Sequence, residues 1–129
     1  MNTLNIKNII YIIFLTALLA SCGNLSPDET FKRFVTLIDK GELTEASKLV
    51  DAPPGMEAKV SMGLNMMAKK FKTRGGIEEI TINNTNIDGE KAVVEFTLHY
   101  KGTETSRPST ESSKQTFRKV EGKWMLKLL

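Results

Sequence analysis

Cys22 is the only thiol in the chain, and its setting points to one chemistry. It follows an apolar run that starts at Ile9 and closes on the small residues Ala20 and Ser21. A thiol so placed reads as an acylation point. The sulfur would take a diacylglycerol, and the chain would be cut just before it. Other reactive groups are sparse. His99 is the only histidine, and a general base needs an orienting partner within reach. The alternation around His99 turns it away from the apolar face of its strand, with no Asp at a neighbouring inward position. Asp39 and Asp51 read as helix ends and Asp88 as a turn residue, each with a local structural job. One histidine and no remaining thiol give no basis for a metal site, a disulfide or a cofactor. Tyr100 and Trp124 each pair an apolar ring with a polar tip. With Phe34, Met67, Phe71 and Phe96 they would line a pocket if the fold leaves one. Plain core packing is the competing reading for all six.

The segment ahead of Cys22 carries one charged side chain, Lys7. Ile9–Ala20 is shorter than the ~20 apolar residues needed to cross a bilayer and has the length of a secretory core. Ile9–Leu15 has no polar stripe, unlike a surface helix. Leu19-Ala20-Ser21-Cys22 resembles the lipobox of bacterial lipoproteins. The resemblance implies a signal peptide over 1–21, a lipidated tether over 22–25 and a single domain over 26–129. Lipoproteins of this kind carry two or three acyl chains on the cysteine. At about 0.8 kcal/mol per buried CH₂, release from the membrane would be negligible. Gly23, where inner-membrane retention in enteric bacteria favours Asp, points to the outer membrane facing the periplasm.

The formal net charge is +3, and cleavage would remove Lys7. Lys69, Lys70, Lys72 and Arg74 cluster, and Arg118, Lys119, Lys123 and Lys127 follow later. No aromatic residues interleave these charges, which argues against a nucleic-acid surface. A solvated face or contact with anionic lipid headgroups fits better.

Those side chains must be positioned by the elements that follow. Ser26-Pro27-Asp28-Glu29 is a helix start with a capping box and Pro at the first helical position. Phe31, Phe34, Val35 and Ile38 then recur on one face, and Gly41 ends the helix. A shorter helix is expected from Thr44 to Val50, facing inward through Ala46, Leu49 and Val50. A third is expected from Met56 to Lys72, with Met56, Val60, Leu64, Met67 and Phe71 on one side. Met62 and Met66 raise the idea of an adaptable docking face. The period then changes. Ile80 and Ile82 open a strand reaching Ile87, and Asp88-Gly89 signals a hairpin. Lys91–Tyr100 alternates cleanly, with Ala92, Val94, Phe96, Leu98 and Tyr100 on one side and Glu95, Thr97 and His99 on the other. Gly102–Ser112 reads as a polar loop, Lys114–Val120 as a third strand, and Trp124, Leu126 and Leu128 as the inward side of the last. Three helices followed by a four-stranded antiparallel meander make an α+β fold.

Several of these motifs in this order carry a resemblance. Ser26–Thr30, Lys40-Gly41-Glu42-Leu43-Thr44-Glu45-Ala46, the hairpin Asn86–Val94 and the closing Val120-Glu121-Gly122-Lys123-Trp124 resemble a small bacterial domain of unknown function labelled lumazine-binding-like. That domain falls in the nuclear transport factor 2-like (cystatin-like) superfamily. The resemblance implies a cone in which a curved sheet wraps helices and can leave a pocket. Enzyme members that abstract protons need a carboxylate at an inward strand position, and none is expected here. The expectation is therefore a non-enzymatic envelope lipoprotein binding a small apolar ligand or a protein partner. A small pocket enzyme and a scaffold that homodimerises through the sheet are the alternatives.

Overall fold

The computed structural model describes residues 25–128. Cys22, with Leu19, Ala20 and Ser21 before it, lies outside the described residues, as do the rest of the expected signal segment and most of the expected tether. The described chain forms three helices, α1 (Pro27–Asp39), α2 (Leu43–Ser47) and α3 (Glu57–Thr73). Four strands follow, β1 (Ile77–Asp88), β2 (Lys91–Tyr100), β3 (Ser109–Val120) and β4 (Lys123–Leu126). They pair in sequence order, each antiparallel to the next. The α+β reading of the sequence stands.

α1 begins as its sequence dictates. The Ser26 hydroxyl accepts from the Glu29 amide at 3.3 Å, and Pro27 occupies the first turn, where a missing N–H costs nothing. The buried Thr30 hydroxyl donates back to the Ser26 carbonyl at 2.8 Å. Phe31, Phe34, Val35 and Ile38 are all buried against the sheet and the other helices. The Phe31 and Phe96 rings meet at 4.2 Å between centroids. Full burial of each such side chain contributes about 1.5–3 kcal/mol. From α3, Val60, Leu64 and Phe71 enter the same core.

β4 ends at Leu126, short of Leu128, and four further boundaries differ from the sequence reading. α2 ends at Ser47 rather than Val50. The chain leaves the helix to lie along β4: the Leu126 amide donates to the Leu49 carbonyl (2.8 Å), and the Asp51 amide donates to the Leu126 carbonyl (2.7 Å). Backbone pairing to an open edge outweighs the weak propensity of a two-turn helix. α3 is shifted by one residue, with Met56 as its N-cap. β1 starts at Ile77, and Ile80 and Ile82 face Leu98 and Phe96. A bulge between Ile82 and Asn84 adds one residue, which brings Thr85 and Ile87 opposite Val94 and Ala92, with Ile87 left exposed at the end of the strand.

The fourth difference matters most. β3 begins at Ser109, so the polar loop is confined to 101–108, and Ser109–Ser112 pair with Tyr100–Thr97. Hydrophobicity gave no sign of this, because the inward positions Glu111, Ser113 and Gln115 are not apolar. The ladder is held by its backbone and by Thr and Ser, which suit a half-exposed sheet.

Candidate functional site

Register places the inward side of β3. Phe117 is fully buried opposite Ala92. Counting back by twos gives Gln115, Ser113 and Glu111 on the same face. Glu111 is therefore an inward carboxylate, which corrects the expectation that the meander has none. A continuation of the Phe117 alternation through the polar stretch would have found it.

Glu111 is not free. Tyr100, diagonally across on β2, donates its hydroxyl to Glu111 Oε1 at 3.0 Å. Lys70 of α3 donates its ammonium to Glu111 Oε2. The Arg74 guanidinium lies over the Tyr100 ring, 4.9 Å from its centroid. Burial pushes the Tyr100 phenol up to about 12, and the hydrogen bond and charge of Glu111 push the same way. Burial resists ionisation of Glu111, but hydrogen bonds from Lys70 and Tyr100 and the charges of Lys70 and Arg74 outweigh it. Its carboxyl is held below the ordinary carboxylate value. The cluster is thus a carboxylate bonded by a neutral phenol and by the Lys70 ammonium, with the Arg74 guanidinium over the phenol ring.

Backbone geometry holds the cluster together. The Gly102 amide donates to the Arg74 carbonyl at 2.9 Å, and the Lys101 amide donates to the Gly76 carbonyl at 3.0 Å. Gly75 has φ 88°, and a Cβ there would collide with the Gly102 backbone. This clasp joins the end of α3 to the end of β2, bringing Lys70 and Arg74 to Tyr100.

The six candidate pocket residues do not share one cavity. Phe34, Phe71, Phe96 and Tyr100 are buried in the core, and Met67 packs against them partly buried. Phe71 and Tyr100 lie 5.9 Å apart. These side chains join Phe31 in one buried core cluster. Trp124, on β4, packs against the same core from its edge, half-buried, and lines a groove of about 280 Å³ with Leu25, Arg33, Leu37, Lys48 and Lys123. Lys119 reaches over its ring at 5.6 Å. A second groove, about 330 Å³, runs between α2 and α3 past Leu43, Val50, Pro53, Val60 and Leu64.

The remaining candidates fall where chemistry is weak. His99 faces the side of β2 opposite its buried residues and bonds the Thr81 hydroxyl at 2.9 Å. Its neighbours there include Thr97, which bonds Asn83 and Ser112, and no carboxylate bonds the imidazole among the described residues. Asp39 accepts from the Ile77 amide at 3.2 Å, tying α1 to the start of β1. Asp51 is not a helix end. It pairs with Arg118 Nε at 2.9 Å, beside the Val50–Leu126 bridge. Asp88 precedes the two-residue turn Gly89-Glu90. No cluster of three metal-ligating side chains occurs among the described residues. Met62 and Met66 are exposed on α3.

Neither a protein-family model nor a functionally curated protein matches the sequence. Solved structures do resemble the fold. A Campylobacter jejuni protein described as an NTF2-like transpeptidase superposes with TM-score 0.68 at 20% identity, covering 81% of this chain and 100% of its own. An NTF-2-like protein of unknown function from Shewanella oneidensis gives 0.57 at 14% identity, covering 75% and 88%. An NTF2-like protein with a cystatin-like fold from Novosphingobium aromaticivorans gives 0.54 at 16%, covering 87% and 82%. Likeness at these identities is one of architecture, and the architecture of three helices over a curved antiparallel meander is the nuclear transport factor 2-like, cystatin-like fold.

Proposed function

We propose that this chain is a bacterial envelope lipoprotein, anchored through Cys22, whose domain binds a partner rather than transforming a substrate. The observation that carries the non-enzymatic half is the state of Glu111. An inward carboxylate is the group a proton-abstracting member of this fold needs. Here both of its oxygens are taken, one by Tyr100 and one by Lys70. A base held below its ordinary pKa by a bonded cation abstracts protons poorly. The phenol beside it, pushed up to about 12, is a weak acid already donating its proton. The buried aromatic core supports the same reading, since a small-molecule site is normally a concave pocket with few polar groups converging on it.

The anchor half rests on the Leu19-Ala20-Ser21-Cys22 lipobox and the apolar segment before it. Within this proposal the domain is a lumazine-binding-like one, held at the outer membrane on the periplasmic side. Its occupant is a small apolar ligand in a surface groove or a protein partner. Homodimerisation through the sheet is the scaffold variant of the same idea. Nucleic acid is not among the proposed partners.

Intact-mass analysis of the protein isolated from a bacterial envelope tests the anchor. The expected product starts at Cys22 and carries acyl groups, and Cys22→Ala abolishes both changes. Native mass spectrometry of the same material tests binding, and a reproducible adduct supports it. The second reading, a pocket enzyme, is favoured by one observation, the Glu111–Tyr100 hydrogen bond. It would gain if Glu111→Gln removed a measurable turnover while leaving the fold intact.

A further inference from the structure

We infer that the Trp124 groove is a membrane-facing surface that seats against anionic phospholipid headgroups. This inference rests on the anchor proposed above and adds an orientation to it. Cys22 is three residues from Leu25, so even a fully extended link spans only about 10 Å. Leu25 itself lines the groove, together with Trp124, Leu37 and Lys123. If acyl chains on Cys22 are in the bilayer, this groove is the part of the domain that lies nearest the surface.

The chemistry of the groove fits that location. Its floor is Leu25, Leu37, Leu49, Trp124 and Met125, all half-buried. Its rim carries Arg33, Lys48 and Lys123, and Lys119 stands over the indole. Arg33 and Lys123 make no ion pair among the described residues. Lys48 is held by Glu45, the one acidic residue in the lining. Tryptophan is the side chain that settles at the headgroup level, and basic residues within reach of an anionic leaflet add attraction. The cluster Lys69 to Arg74 is placed differently. Arg74 is bonded to Gly102, just past Tyr100, whereas Lys91 and Arg118 pair at the opposite end of β2. Nine strand residues, about 30 Å, separate the two ends. The sequence alone favoured neither basic group, and the fold selects the one beside the tether.

Trp124 is the only tryptophan, so its fluorescence reports this surface alone. The full chain would be reconstituted into vesicles of phosphatidylcholine and phosphatidylglycerol with brominated acyl chains. Strong quenching of Trp124 by the brominated lipid is expected, with matching protection from acrylamide in the water. Charge reversal at Arg33 and Lys123 together should lower the docked fraction by about five-fold or more. Reversal at Lys69 and Lys72 should leave it unchanged. Far-UV circular dichroism identifies any variant that fails to fold, and the wild-type measurement stands without the variants. A Trp124 open to acrylamide and untouched by brominated lipid overturns the inference. Intact mass at Cys22 reads the anchor separately. A lipidated chain with Trp124 in water removes this surface and keeps the anchor. An unmodified chain whose Trp124 still docks removes the anchor and keeps the surface.

Discussion

At the Tyr100 end of the sheet, the polar tips of Tyr100, Glu111 and Lys70 are bonded to one another, and α3 is clasped to β2 by its backbone. At the Trp124 end, lysine and arginine side chains rim a half-buried apolar floor. Both ends pair an aromatic ring with a cation, Arg74 over Tyr100 and Lys119 over Trp124. They differ in what remains for a visitor. Polar groups that satisfy each other stabilise a fold and leave little to bind with. Cations facing water beside apolar surface retain their capacity for a partner. The presence of a carboxylate in the cone is thus a poor sign of catalysis until its hydrogen bonds are known.

Several measurements would break or sharpen this contrast. The largest effect is expected in the core that both ends share: Phe34→Ala should cost about 3–5 kcal/mol in denaturant unfolding, the range for a fully buried aromatic. Next come the glycines of the two ends. Gly75→Ala meets the Gly102 backbone at positive φ and should cost roughly 2–3 kcal/mol. Gly122→Ala, also at positive φ in the β3–β4 turn but with open space around it, should cost only about 1 kcal/mol. Equal losses would show that the clasp at the Tyr100 end is no tighter than an exposed turn.

The Tyr100 network should also be visible in pH dependence. The unfolded phenol releases its proton near its ordinary value of 10.0, while the folded one holds it to about 12. The folded state then binds more protons across that interval. Stability should be intact below pH 10 and fall as the pH rises through 12. Tyr100→Phe should flatten that limb and cost about 1–2 kcal/mol at neutral pH, since it leaves Glu111 one bond short. On the acid side, Glu111 is held below 4.5, so its contribution is present above that pH. It is lost as the pH falls through the lowered value, and Glu111→Gln should weaken this acid limb. The smallest effect belongs to the Trp124 end: Lys119→Ala should change stability by about 0.5–1 kcal/mol, the size of an exposed cation–π contact. A larger loss there would mean that the groove is structural.

Much of this architecture was legible beforehand, for reasons that lie in particular residues. The α1 start was readable because Ser26, Pro27 and Glu29 act on their own first turn. β2 was readable because burial on one face writes a two-residue period into Ala92, Val94, Phe96, Leu98 and Tyr100. The first half of β3 was hidden because Ser109–Ser112 carries no such period. The β1 bulge hid the register of its far half by shifting the parity at Asn83. Of the candidate site, the aromatic residues are legible in the sequence, but not that Phe34, Phe71, Phe96 and Tyr100 are buried in the core while Trp124, packed against it and half-buried, also lines a surface groove.

The amino-acid order by itself determined the local matters: where α1 is capped, where hairpins turn, which side of β2 is apolar, and that a lone thiol follows a short apolar run. These depend on neighbours a few residues apart, whose interactions any chain segment carries with it. Only the tertiary structure decided that Glu111 meets Tyr100 and Lys70, that Phe34, Phe71, Phe96 and Tyr100 join one core, and that Leu25 and Trp124 line one groove. Those contacts join residues far apart in the chain, and their geometry is set by packing and strand register, which no single stretch of sequence contains.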